Sequence, residues 1–263
     1  MAIDLIDSHS HFDVAEFDAD REAVLTRARA AGVTRQIVPA ITAVSFERVR
    51  ALCAKESGLY PAYGLHPLFL AEHKSEHIDE LARWIEREKP VAIGECGLDF
   101  FVPDLDAATQ RNYFHAQLEL AREFDLPLIV HARRAVDEVT TAIRRVGQLR
   151  GVVHSFSGSI EQAQQLWKLG FFIGLGGPIT YPRAHRLRKI VATMPLEFLL
   201  LETDSPDQPL HGHQGGRNEP ALLTEICTCV ADLRSVTPQE IAAATTRNAE
   251  RLFNLARLTS LQS

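Results

Sequence analysis

The chain has 263 residues, more than a small domain needs and a match for one α/β barrel of about 250 residues. Hydrophobic residues make up 46% and charged residues 24%, an ordinary globular balance, and the formal net charge is -6. That acidic balance excludes a protein whose whole surface grips duplex nucleic acid, though cations held at a site leave a nucleic-acid substrate open.

The first apolar run, residues 3–6, predicts a strand that ends in Asp7-Ser8-His9-Ser10-His11. A helix over 21–31 stops at Gly32, and residues 36–38 predict the second strand. A helix over 46–55 is closed by Gly58, and the third strand, 59–63, runs into Gly64-Leu65-His66-Pro67. A helix over 78–88 precedes Pro90, and the fourth strand, 91–93, ends in Gly94-Glu95. A helix over 110–124 and Pro127 lead into the fifth strand, 128–130, followed by His131-Ala132-Arg133. The sixth strand, 152–153, ends in His154-Ser155-Phe156. A helix over 160–169 stops at Gly170 before the seventh strand, 171–173, and the eighth, 198–201, ends in Glu202-Thr203-Asp204. Three Gly and three Pro predict a long loop from Asp204 to Pro220, and residues 220–233 and 238–255 predict closing helices. Continuous apolar runs suit strands buried on both faces. Eight of them alternating with helices predict a single (β/α)8 TIM barrel over residues 1–263.

Cys53, Cys96, Cys227 and Cys229 include no CxxC pair, so a reducing compartment is expected. The first residues carry no basic segment or long apolar run, and no stretch approaches the roughly 18 apolar residues that cross a bilayer. The expectation is a soluble cytoplasmic protein with no membrane association and no obligate protein partner.

In a barrel the C-terminal strand ends converge on one face, where active sites sit. His9 and His11, two apart in extended chain, point the same way. A lone His-x-His is a weak signal, but Glu95, His131, His154 and Asp204 occupy further strand ends. Six ligands exceed one tetrahedral zinc site, so two ions bridged by a carboxylate are expected. In barrels resembling phosphotriesterase a carbamylated lysine on the fourth strand makes that bridge; here Glu95 follows that strand.

Asp7-Ser8-His9-Ser10-His11-Phe12-Asp13, Gly64-Leu65-His66-Pro67, Gly94-Glu95-Cys96-Gly97-Leu98-Asp99, His131-Ala132-Arg133, His154-Ser155-Phe156-Ser157-Gly158 and Glu202-Thr203-Asp204-Ser205-Pro206 resemble, in order, the motifs of TatD-family hydrolases. The resemblance runs from residue 4 to about 255, takes in Arg217-Asn218-Glu219-Pro220, and looks closest to the YjjV-like branch through residues 174–184 and 205–210. It implies a metal-dependent deoxyribonuclease, often a 3′→5′ exonuclease acting on single-stranded DNA ends. Cys96 stands where the family usually has an aliphatic residue and reads as a small buried hydrophobe. The loop 211–216 is less family-typical.

His9, His11, Glu95 and Asp204 are expected to hold one divalent ion, and Glu95, His131 and His154 the other. The mixed ligand set accepts Zn, Mn, Mg or Co. Asp204 is the candidate general base, or else a purely structural ligand. His66, expected outside the metal shell because it follows a different strand, is assigned to the substrate phosphate or leaving oxygen, against a neutral core histidine. Arg133 clamps phosphate or tethers the barrel rim by a salt bridge. Arg217 and Asn218 contact substrate or anchor the last loop, and Glu202 orients a ligand histidine. His73, His77, His115 and His185 read as solvated helical residues, and Cys227 and Cys229 as packing residues. His211 and His213 form a second His-x-His in a Gly-rich loop without carboxylate partners. An ester or C–N bond hydrolase, such as a D-aminoacyl-tRNA deacylase, could use the same centre. A catalytically idle barrel kept for binding is disfavoured because no ligand position is missing.

Overall fold

In the computed structural model, which describes residues 3–255, eight strands form one sheet in chain order. They are β1 Leu5–Asp7, β2 Val33–Pro39, β3 Leu59–Tyr63, β4 Ala92–Asp99, β5 Leu128–Arg133, β6 Gly151–Val153, β7 Phe171–Leu175 and β8 Leu199–Leu201. The strands pair in parallel. Parallel neighbours need long crossovers. Helices α1 Arg21–Ala30, α2 Phe46–Lys55, α3 Glu76–Glu88, α4 Ala107–Glu123, α5 Val136–Val146, α6 Ile160–Lys168 and α7 His185–Thr193 supply them. Helices α8 Leu223–Arg234 and α9 Pro238–Phe253 follow β8. Past the end of β1, the Ser8 amide and hydroxyl both donate to Leu201 O, at 3.0 and 2.9 Å. Asp204 N–H in turn donates to His9 O at 2.9 Å. With β8 bonded back to β1, the sheet has the connectivity of the expected (β/α)8 barrel. No helix among the described residues is long and apolar enough to cross a membrane.

The chain divides into two compact units. One comprises residues up to Val38 and from Ile173 onward. Its core includes Phe12, Phe17, Leu25, Ile226, Leu252 and Phe253. There α9 is tied to strand ends by polar side chains: Asn248 donates to Leu196 O and Leu199 O, and Thr246 to Asp4 O. The other unit, Pro39–Phe172, holds β3 to β6 and packs Phe46, Tyr63 and Trp84 with ring centroids 5.3–5.7 Å apart.

In the second unit α4 also carries two buried glutamines seven residues apart, hence on one helix face. Gln110 pairs with both backbone groups of Asp99, and Gln117 with both of Leu65. Each side-chain amide thus clamps the backbone just past or at the end of a strand. These clamps are the fold's preparation for the site.

Candidate metal centre

Within the first unit, His9 and His11 lie just beyond β1 in extended chain, and Asp204 lies three residues beyond β8. His9 Nε2 and His11 Nε2 are 3.2 Å apart, and both face Asp204 Oδ1, at 3.5 and 3.6 Å. Asp204 takes a left-handed backbone, φ 55°, which aspartate tolerates better than most residues. Its second oxygen, Oδ2, accepts from the Gln208 side-chain amide.

Asp7 holds β1 against the segment after β8. It accepts from Thr203 N–H at 2.9 Å, from the Thr203 hydroxyl at 2.6 Å and from His9 N–H at 3.3 Å. Burial pushes its carboxyl up to about 7; these hydrogen bonds only partly oppose that, and the Asp204 charge adds to it. Two imidazoles and a carboxylate are thereby locked on elements nearly 200 residues apart in the chain.

Within the second unit, Glu95 is 1% exposed, and its Oε1 is met by three imidazoles. His154 Nε2 approaches to 2.7 Å, His66 Nε2 to 2.8 Å and His131 Nδ1 to 3.2 Å. The β4–β5 register shifts between Ile93 and Cys96, an irregularity that sits at Glu95 and re-aims it. Gly97 has φ 142°, and a Cβ there would lie 2.0 Å from His131 O. Only glycine lets β4 pass this close to β5 beside the cluster.

His131 Nε2 lies 2.9 Å from Asp99 Oδ2. A carboxylate only accepts, so Nε2 carries the proton and Nδ1 faces Glu95. Burial lowers the His131 pKa, but Asp99 and Glu95 more than offset it and hold the ring above its ordinary value. An imidazole that gives one N–H to a carboxylate and aims its other nitrogen at a carboxylate-lined space is the usual arrangement of a metal-ligating histidine.

The donor set fits divalent cations. Imidazole nitrogens 3.2 Å apart (His9, His11) and 3.4 Å apart (His131, His154) face one another, and carboxylate oxygens converge on both pairs. A cation relieves such crowding of lone pairs. The ligand atoms of His66, Glu95 and His131 lie within 4.8 Å of one another, as a metal site requires.

Several expectations change. His66 is not remote from the ligands: its Nε2 contacts Glu95, and its Nδ1 accepts from Leu68 N–H at 3.1 Å. Arg217 is committed elsewhere, and substrate contact gives way to loop anchoring. Its guanidinium donates to both Asp20 oxygens, to Glu16 O and to Glu219, and lies 4.6 Å over the Phe17 ring.

Asn218 is likewise no substrate contact. It is fully buried, its Nδ2 donates to Thr203 O and Asp207 O at 2.8 Å, and its Oδ1 accepts from Glu219 N–H. Both amide protons are spent on backbone carbonyls. Arg133 is exposed and makes no ion pair among the described residues; it stacks 3.7 Å over Phe101 instead of tethering the rim.

His73 is a half-buried residue 2.9 Å from His66 O, outside α3, and not a solvated helical one. His213 does have a carboxylate neighbour, Glu225, at 3.2 Å on the surface. Cys96 is buried, donates weakly to Ile129 O, and burial pushes its thiol up, as suits a packing residue. Glu202 is buried, with its N–H on Leu175 O.

The sequence carries weaker signals for Asp7, Asp99, Gln110, Gln117 and Gln208 than for the histidines. Asp7 and Asp99 sit two before His9 and four after Glu95, inside the motifs, and that placement was the available signal. The glutamines give no local signal, because their partners are backbone groups on other elements.

A family model described as TatD related DNase matches residues 6–254. A metal-dependent hydrolase of Escherichia coli strain K12, YjjV, is 45% identical over 95% of this chain and 98% of its own. The crystal structure of YjjV superposes with a TM-score of 0.93 at 44% identity, covering 97% of this chain and 99% of that one. A Danio rerio protein described as putative deoxyribonuclease tatdn3 is 32% identical over 98% of this chain and 100% of its own.

Proposed function

The chain belongs to the TatD related DNase family of metal-dependent hydrolases, and from that premise we propose a deoxyribonuclease that removes nucleotides from single-stranded DNA, 3′ to 5′. The reading rests above all on Glu95, a buried carboxylate ringed by three imidazoles, the bridging ligand that a two-ion centre needs. We assign His9, His11, Asp204 and Glu95 to one divalent ion and Glu95, His131 and His154 to a second, drawn from Zn, Mn, Mg or Co. The C-terminal strand ends of a (β/α)8 barrel meet on one face, which supports one centre built from both clusters.

When bound, such ions lower the pKa of a water from 15.7 to about 7 and neutralise charge on phosphate oxygens. Asp204 accepts the proton of the attacking water; the Gln208 amide on its Oδ2 keeps the carboxylate oriented. Because His66 Nδ1 accepts from Leu68 N–H, the neutral ring carries its proton on Nε2. That N–H lies 2.8 Å from Glu95 Oε1; released from that contact, it is the donor for a phosphate oxygen or for the leaving oxygen as its bond to phosphorus breaks. Arg133, exposed at the end of β5, takes a phosphate of the bound strand. The family description and the name of the Danio rerio relative favour DNA as the substrate.

The test is a panel for metal-reconstituted protein: single-stranded DNA, RNA, a small phosphodiester and a D-aminoacyl-tRNA. Mononucleotide release from the 3′ end of DNA, stopped by chelator, is the expected result. Turnover of the aminoacyl ester alone would overturn the reading in favour of ester hydrolysis.

A further inference from the structure

Four large apolar side chains are exposed among the described residues, and three of them lie in the second unit, each following one of three successive strands. Val44 comes after β2, Leu68 after β3 and Phe101 after β4, all on the strand-to-helix side where Glu95 and its histidines lie. Phe101, 45% exposed, is the aromatic member. The Arg133 guanidinium sits 3.7 Å from its ring centroid and that of Arg134 4.7 Å. Neither arginine has a carboxylate partner among the described residues, and both are exposed. Three side chains thus combine an aromatic ring, two planar cations and access to solvent, and no carboxylate among the described residues neutralises the cations.

The cluster is tied to the metal ligands. Asp99 Oδ1 accepts from Phe101 N–H at 2.8 Å and Val102 N–H at 3.1 Å, while its Oδ2 holds His131. Phe100 N–H donates to Arg133 O at 2.9 Å, which ties the Phe101 turn to the end of β5. Arg133 follows His131 by two residues, roughly 7 Å along a strand. That is the reach of about two nucleotides stacked at roughly 3.4 Å each.

We propose that Phe101, with Arg133 and Arg134, is a stacking platform for an unpaired nucleobase one or two nucleotides from the scissile phosphate. The proposal rests on the nuclease reading and deepens it. A nucleobase is the occupant this surface fits: it offers a π-face to ring or guanidinium, and each nucleotide brings a phosphate for the arginine that swings off the ring. Stacking tolerates every base, so the platform reads strandedness and not sequence. A paired base has both faces covered and cannot lie on it. The single-strand preference therefore comes from this edge as well as from the acidic body of the protein.

The experiment compares two single-stranded oligonucleotides with metal-loaded enzyme, one intact and one abasic at the second nucleotide from the 3′ end. Wild type is expected to show a KM about tenfold lower for the intact strand, the size of one base–aromatic stack. F101A is expected to bring that ratio close to one, and F101W to restore it. A wild-type ratio near one, or an F101A ratio equal to wild type, overturns the platform while the nuclease reading stands. No hydrolysis of either oligonucleotide overturns both. An equal rise in KM for both strands in F101A points to a general contact of the surface and also overturns base stacking.

Discussion

Asp99 is a single side chain with three obligations: the His131 ring and the amides of Phe101 and Val102. Burial pushes its carboxyl up, but the hydrogen bonds from His131 and those amides outweigh it and hold it down at about 2, below the ordinary 3.8. Between about pH 2 and 4 the unfolded chain therefore binds more protons than the folded one. The stability this carboxylate contributes is present above that window and lost as pH falls through it. Asp99→Asn keeps an acceptor for the two amides but not a partner for the His131 N–H. It is expected to flatten the fall in urea midpoint between pH 4 and 2.5, and to lower metal affinity or kcat by roughly 10- to 100-fold at neutral pH. Unchanged acid sensitivity and unchanged turnover would remove the role. The identity of Asp99 is plain in the sequence, but its role is not, because its partner His131 is 32 residues away.

At the scale of elements, most strands were readable as apolar runs, and the departures have local causes. β2 begins at Val33, ahead of its apolar run, because Thr34 and Arg35 turn to Asp4 and Glu250 and interrupt the pattern without ending the strand. β4 extends to Asp99, well past the three-residue run. Glu95, Gly97 and Asp99 break its apolar character, yet every residue in it is buried. Buried polar side chains that serve a site look, in one dimension, like the start of a loop.

Gly97 in this strand contrasts with Gly147, which follows α5. Gly97→Ala meets His131 O at 2.0 Å, whereas a Cβ on Gly147, φ 70°, meets nothing within 4 Å. Gly147→Ala is expected to cost about 1–3 kcal/mol, from its backbone conformation alone, φ 70° with ψ 166°. Gly97→Ala is expected to cost about 3 kcal/mol or more and to weaken metal retention, since β4 and β5 must part. Urea denaturation midpoints of the two variants, with bound metal counted on the soluble protein, check both. Equal costs would mean that the close approach of β4 to β5 is dispensable.

At the scale of the whole molecule, the family and the barrel were legible because six strand-end motifs recur in order along the chain. The candidate ligands stand out for the same reason: each imidazole and carboxylate proposed to hold metal falls just after an apolar run. What one dimension hid was how the rest of the polar side chains are spent. Arg217 and Asn218 look like substrate contacts beside a long loop, but each is consumed in anchoring it, by partners that only folding brings near. Phe101, large and aromatic, is exposed.

In the proposed centre, His9, His11 and Asp204 would hold one ion, His131 and His154 a second, and Glu95 would serve both. Metal counting on protein saturated with one cation and then desalted tests it most directly. Wild type is predicted to retain two ions per chain, H9A/H11A and H131A one each, and E95Q fewer than either, all with folded circular dichroism spectra. One ion per chain in wild type, or an E95Q variant that keeps both, would contradict it.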